Sequence, residues 1–394
     1  MRKGFGAMFF AAIAIVLSGC NISNENDDVQ NGDARSVRIQ LQGNIQDEGS
    51  RAAGPHVGSD PVVVSSGKLF FTNPGGTITK VINIQTGSAA EAGGNVGIGA
   101  LTAAGGTTIT NVPGTSTKVY VLCNITASLP TVTPGSTDIS VINDFALQVA
   151  SLYDATGKGI DNVPVYGAPG AMTSTGTAGQ YETSLTLAPV GSRFEIGKFT
   201  AGGTITGYKI EGIYINNYYS QQKLSGAIIS ASSDLMNNGS DPDLYAAPGA
   251  TGSSYVAALN EAIFDYSASG IGFFPGSSLV CSPVTPVDAA KVWGYNVLAP
   301  ATGQAPHFVI RLSNVTTSLP SDPYAGQTWF LTIKNMYSSG SNPIAFAPRN
   351  VYRIADLAFT ENDLAIVPEQ KTIGVSVVVT TLNWVSSDIG YDFN

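Results

Sequence analysis

Across residues 36–46 apolar and polar side chains alternate. Val37, Ile39, Leu41 and Ile45 fall on one side; Ser36, Arg38, Gln40, Gln42, Asn44 and Gln46 fall on the other. A period of two predicts a strand with one face buried, and Gly43 leaves a gap in its apolar face. The other end of the chain repeats the pattern. Ile373, Val375, Val377 and Val379 alternate as a strand with Val378 and Leu382 on its second face. In the last eleven residues, 384–394, Val385, Ile389, Tyr391 and Phe393 share one face, opposite Trp384, Ser386, Asp388, Gly390 and Asp392. The sequence thus opens and closes with an amphipathic strand that reads as detachable. At about 3.3 Å per residue, each is long enough to run along a whole sandwich.

What lies between is written in turns and short strands. Of 394 residues 45 are Gly and 21 Pro, and charged residues make up 12%, against about a quarter in an average chain. The hydrophobic share of 43% supplies a core. Strand-like runs occupy residues 62–64, 68–72, 77–84, 117–122 and 184–187, with turn residues at 73–76 and 113–114. Further runs occupy 307–312, 328–334, 351–357 and 372–382, and two short helices are expected over 138–153 and 253–266. The composition shifts near residues 218–226. The expected fold is all-β, with two tandem β-sandwich domains and few short helices behind a removable N-terminal strand. The segments are a signal peptide over 1–20, a propeptide over 21–51, sandwiches over 52–222 and 223–383, and a terminal strand over 384–394.

Several function classes fall away. A net charge of −9 disfavours nucleic acid, whose binding needs clustered Lys and Arg. Two histidines, His56 and His307, give little material for a catalytic or metal cluster, and both read as surface residues. No G-x-S-x-G elbow is present; residues 191–198 have the wrong spacing for a phosphate loop, and Phe199 stands where a hydroxyl is required. No catalytic residue, cofactor or metal site is expected. Asp241 and Asp243, after Asn237 and Asn238, suit an Asx turn better than a calcium loop. Tyr208, Tyr214, Tyr218 and Tyr219 fit either an adhesive surface or cross-strand packing. Cys123 and Cys281 read as two buried thiols rather than a disulfide.

The N-terminus carries a processing signal. Met1-Arg2-Lys3 is basic, and the apolar run from Phe5 to Leu17 is too short for a membrane span. It ends in Leu17-Ser18-Gly19-Cys20, which resembles a bacterial lipoprotein box, in which the cysteine, here Cys20, is acylated and becomes the new N-terminus. A polar tether over 21–33 follows. Beyond the first strand, Arg51 lies in a polar stretch over 47–55 of the kind that proteases cut, with Arg35 and Arg38 as competing sites.

Lipobox, tether, one strand, a loop Arg-Ala and an apolar terminal strand together resemble the Bacteroidales fimbrillins, the stalk subunits of type V pili. Internal segments are similar too: L-T-L-A-P-V-G-S-R-F-E-I at 185–196, Y-K-I-E-G-I-Y-I-N-N at 208–217 and R-N-V-Y-R-I-A-D-L at 349–357. The resemblance implies transthyretin-like sandwiches and a precursor held at the outer membrane by lipid on Cys20. It implies an Arg-specific protease that cuts between Arg51 and Ala52 and releases the strand of Val37, Ile39, Leu41 and Ile45. The groove then takes Val385, Ile389, Tyr391 and Phe393 of another subunit. It further implies a cell-surface fimbrium made by self-polymerisation with tip and anchor subunits, and receptors on host or bacterial surfaces. A stalk role fits best, because an anchor keeps its lipid and a tip needs no terminal donor. The alternative is a monomeric surface lipoprotein that binds a glycan or other ligand.

Overall fold

Strands buried on both faces lose the alternation of a surface strand, and two such runs, Leu69-Phe70-Phe71 and Val119 through Cys123, lie mid-sheet in the computed structural model. The structure describes residues 33–43, 45–47, 61–152, 163–216, 218–219, 221–226, 235–236, 279–281, 293–298, 307–338, 343–344, 346, 349–368 and 370–381. The first half of the chain contributes β1 (Arg35–Gln42), β2 (Ile45–Asp47), β3 (Val62–Val64), β4 (Ser66–Thr72), β5 (Ile78–Gln85) and β6 (Asn95–Gly97). It continues with β7 (Thr107–Val112), β8 (Lys118–Cys123), β9 (Ala146–Gln148), β10 (Val165–Ala171), β11 (Thr173–Ser174) and β12 (Gln180–Pro189). One sheet runs β6-β5-β4-β8-β10-β12-β1-β7, with β11 added on β12. Val37 and Ile39 of β1 and Ile109 of β7 share a core with Phe71 of β4, Ile82 of β5 and Val121 of β8, so the two ends of the sheet face each other across it.

The remaining strands are β13 (Ser192–Ile196), β14 (Phe199–Ala201), β15 (Ile205–Asn216), β16 (Tyr218–Tyr219), β17 (Gln221–Lys223), β18 (Leu235–Met236) and β19 (Leu279–Cys281). After them come β20 (Trp293–Val297), β21 (His307–Thr317), β22 (Trp329–Tyr337), β23 (Asn350–Ile354), β24 (Leu357–Phe359), β25 (Ile373–Ser376) and β26 (Val378–Thr381). They form the sheets β20-β13-β23-β26 and β19-β15-β21-β22-β25, with smaller pairs between β14 and β24 and between β16 and β18. The fold is therefore all-β, with few and short helices among the described residues. Sheet membership changes between Pro189 and Ser192; residues 218–226, where the composition shifts, hold β17, which reaches back to pair with β9.

Local details differ from the sequence pattern for physical reasons. The helix expected over 138–153 breaks into one turn of α-helix (Ser140–Asn143), then β9, then a 3-10 turn (Val149–Leu152), because β9 is claimed by β17. The helix expected over 253–266 lies outside the described residues. The alternation over 373–379 spans two strands: β25 pairs with β22, β26 pairs with β23, and buried Val377 is the crossing between sheets. In β15, register shifts on either side of Ile210 change which parity faces inward, so Tyr208, Ile210, Ile213 and Ile215 are all buried. Tyr208 sits edge-on to Phe359 with ring centroids 5.2 Å apart, a core contact and not an adhesive surface; the side chains of Tyr214, Tyr218 and Tyr219 lie outside the described residues. His307, expected at the surface, is buried at the start of β21.

The R-F-E-I segment becomes β13, and each of its residues has a distinct job. Phe194 stacks on Tyr352 at 4.9 Å and meets Phe308 edge-on at 5.6 Å. Glu195 is 1% exposed, and Arg193 Nε donates to its Oε1 at 2.8 Å while Nη1 donates to Asn296 Oδ1 at 3.0 Å. Removing one partner of a buried pair leaves the other charge under-compensated in a poor dielectric. Arg193→Ala is therefore expected to destabilise the protein by about 3 kcal/mol, read as a lowered urea midpoint with an unchanged m-value.

The groove that holds the first strand as a candidate functional site

β1 is an interior strand of its sheet. It pairs in parallel with β12 over seven residue pairs, from Ser36 opposite Gln180 to Gln42 opposite Thr186. It pairs antiparallel with β7, where Val37, Arg38 and Ile39 lie opposite Ile109, Thr108 and Thr107. In the described sheet β7 has no other strand neighbour, so β1 alone ties it in. Val37 and Ile39 are fully buried and Leu41 is 3% exposed. Burying three such side chains stabilises the seated strand by roughly 4–9 kcal/mol before entropy losses.

The expected single strand over 36–46 ends earlier than its pattern. Gly43 takes a φ of 142°, open to glycine and rare for side chains with a Cβ. Beyond it the chain resumes as β2, which leaves β1's neighbours and pairs in parallel with β3. Ile45 is therefore not on β1; half-buried, it packs against the edge of the same core from β2. A second glycine sets how closely the groove grips: Gly106, at φ 64°, approaches the β1 backbone so nearly that a Cβ there would stand 2.1 Å from the Ile39 carbonyl oxygen.

Polar groups hold the outer side. Arg38 pairs with Glu182 across the β1–β12 ladder, both side chains about half exposed. Arg35 lies over the Tyr181 ring at 4.6 Å and donates through Nη1 to the Ser116 carbonyl at 3.0 Å. Both arginines are thus fixed within a strand paired on its two edges, whereas a protease needs an extended, accessible segment. β7 also has a brace independent of β1. Lys80 Nζ, from β5, donates to the carbonyls of Thr110 at 2.7 Å and Asn111 at 3.2 Å, and Thr110 Oγ1 donates to Glu91 Oε2 at 3.0 Å. These contacts and the burial of Ile109 and Val112 keep the far wall of the groove attached to the opposite layer.

Among the expected site residues, Val37, Ile39 and Leu41 converge on one apolar wall. Cys20, Arg51, Ala52, Val385, Ile389, Tyr391 and Phe393 lie outside the described residues, as do His56, Asp241 and Asp243. Cys123 is a buried free thiol on β8, and burial pushes its pKa up to about 12. The side chain of Cys281 lies outside the described residues. Sequence reasoning missed Gly106, Lys80 and Glu182, because their roles depend on contacts between residues far apart in the chain.

Two expectations follow. Ile39→Ala removes buried methyl groups from the groove, and it should destabilise the intact chain by about 2–5 kcal/mol, measured by chemical denaturation. Burial keeps Cys123 in its thiol form and away from solvent. Native protein should resist iodoacetamide at Cys123 under conditions that alkylate it fully in urea, as peptide mass mapping would report.

No protein-family model matches the chain, and no curated protein sequence matches it. Its structural neighbours are fimbrillins and candidate cell-adhesion proteins. A fimbrilin of Porphyromonas gingivalis aligns over 89% of this chain and 97% of its own, with 14% identity and a TM-score of 0.49. A candidate cell-adhesion protein of Bacteroides eggerthii aligns over 89% of this chain and 95% of its own, with 14% identity and a TM-score of 0.49. The C-terminally truncated tip fimbrial protein of Porphyromonas gingivalis aligns over 88% of this chain and 99% of its own, at 12% identity and a TM-score of 0.40.

Proposed function

We propose that this chain is the precursor of a fimbrial stalk subunit, exported as a lipoprotein and polymerised by strand exchange after a single proteolytic cut. One observation carries the reading. β1 lies between β12 and β7 in its sheet, yet every other strand of that sheet comes after Arg51 in the chain. A cut after Arg51 therefore severs β1 and β2 from the body while leaving the body's own chain intact. What remains is a slot with an apolar floor and two rows of unpaired backbone groups, an arrangement proteins otherwise avoid because it pairs with any available strand.

Arg51 is favoured over Arg35 and Arg38 because those two are held in β1 as described above. Within the body we assign the receiving role to the strands up to Pro189, and we treat the strands from Ser192 onward as a second sandwich that presents the terminal segment. The last described strand, β26, ends at Thr381, leaving 13 residues to Asn394. Fully extended, those residues reach about 43 Å, enough for the eight residues of β1's place with a short linker. The occupant of the slot is the terminal strand, 384–394, of another copy. A head-to-tail contact of this kind does not close on itself and propagates into a filament. Tip and anchor subunits cap the two ends, lipid on Cys20 holds the precursor at the outer membrane, and the assembled fimbrium presents itself to host or bacterial surfaces.

The test is an Arg-specific protease added to purified precursor, followed by intact mass and an unboiled denaturing gel. A cut after Arg51 should yield a ladder of oligomers that disappears when residues 384–394 are deleted. Arg51→Ala should abolish both the cut and the ladder. Clean cleavage that leaves only monomer would end the proposal.

A further inference from the structure

We infer that the incoming terminal strand lies antiparallel to the β1 it replaces, with Tyr391 in the place of Ile39; this rests on the strand-exchange reading above. The departing segment carries its apolar residues at 37, 39, 41 and 45 with Gly43 in the gap. The terminal segment carries them at 385, 389, 391 and 393 with Ser387 in the gap. One spacing is the reverse of the other. Laid antiparallel, Phe393, Tyr391 and Ile389 take the three buried places of Val37, Ile39 and Leu41. Ser387 then falls at the place of Gly43, where it turns through other backbone angles than the glycine's φ of 142°, and Val385 falls at the half-buried place of Ile45. Laid parallel, the terminal strand can fill the three buried places only with Ile389, Tyr391 and Phe393 in that order. Val385 then falls at Asp33, which is exposed, and the segment 384–394 covers no place beyond Gln42.

The sheet supports the same direction independently. β1 makes its longer pairing, seven residue pairs with β12, in the parallel sense, and its shorter one with β7 in the antiparallel sense. Parallel ladders are slightly less stable per residue. A reversed strand turns the longer ladder antiparallel and so gives exchange a direction, from parallel precursor to antiparallel polymer. One contact opposes it: Asp392 takes the place of Arg38 opposite Glu182. Both groups stand at the surface, where Glu182 is 45% exposed, so solvent and salt screen the repulsion.

Paired cysteines at exposed positions decide the question without disturbing the core. In the antiparallel arrangement Asp392 occupies position 38, opposite Thr108 on β7; in the parallel one it occupies position 40, opposite Ser184 on β12. Thr108 and Ser184 are both exposed. The variants Asp392→Cys/Thr108→Cys and Asp392→Cys/Ser184→Cys, each with Cys281→Ser, are cut, allowed to assemble, mildly oxidised and run with and without reductant after boiling. A covalent ladder from the Thr108 pair and mostly monomer from the Ser184 pair is expected. The opposite result overturns the direction while leaving strand exchange standing. Failure of unmodified protein to form any ladder overturns both.

Discussion

The groove in the first half of this chain is defined by how β1 is held. Its backbone is paired along both edges, and its three apolar side chains occupy the floor between two layers of sheet. Those two kinds of interaction are of different character. Burial is non-directional and accepts any apolar residue of suitable size. The ladders demand an extended backbone but are indifferent to the side chains on it. A place built this way specifies a strand with period-two apolar residues and little more. That tolerance is what makes replacement by a second strand of similar pattern chemically reasonable.

Under the proposed exchange, the same arrangement keeps the uncut chain from exchanging early. While the covalent link through residues 48–60 persists, β1 is held beside its own slot at high effective concentration, and a strand from another molecule competes at a disadvantage. In the proposed mechanism, cutting the link removes that advantage but not the contacts, so an incoming strand displaces β1. The brace from Lys80 to the carbonyls of Thr110 and Asn111 matters at this stage. Without it β7, whose strand pairing is with β1 alone among the described strands, would be tied in only by Glu91 and its own buried residues, and the slot would lose definition.

Some of this was legible in the amino-acid sequence. The alternation at Val37, Ile39 and Leu41 located a half-buried strand, and the dense Gly and Pro content with runs such as Val119 through Cys123 pointed to an all-β fold. The bend at Gly43 was visible only as a gap in the apolar face, because the glycine's backbone angle and the transfer of Ile45 to β2 depend on β3, which follows much later in the chain. The change of sheet membership after Pro189 comes through pairings with strands beyond residue 290, which no local pattern announces. Buried His307 and the inward parity change in β15 were likewise set by distant partners. Non-local pairing carries no local signature.

The central claim is that β1 leaves when another copy's strand arrives. The most direct measurement is mass spectrometry of purified, protease-matured fibres after dissociation, quantifying the fragment that ends at Arg51 against the body that begins at Ala52. The account predicts that the fragment accompanies the body one to one directly after cleavage and is essentially absent from assembled fibres. A fragment retained at one copy per subunit in the fibres would contradict it.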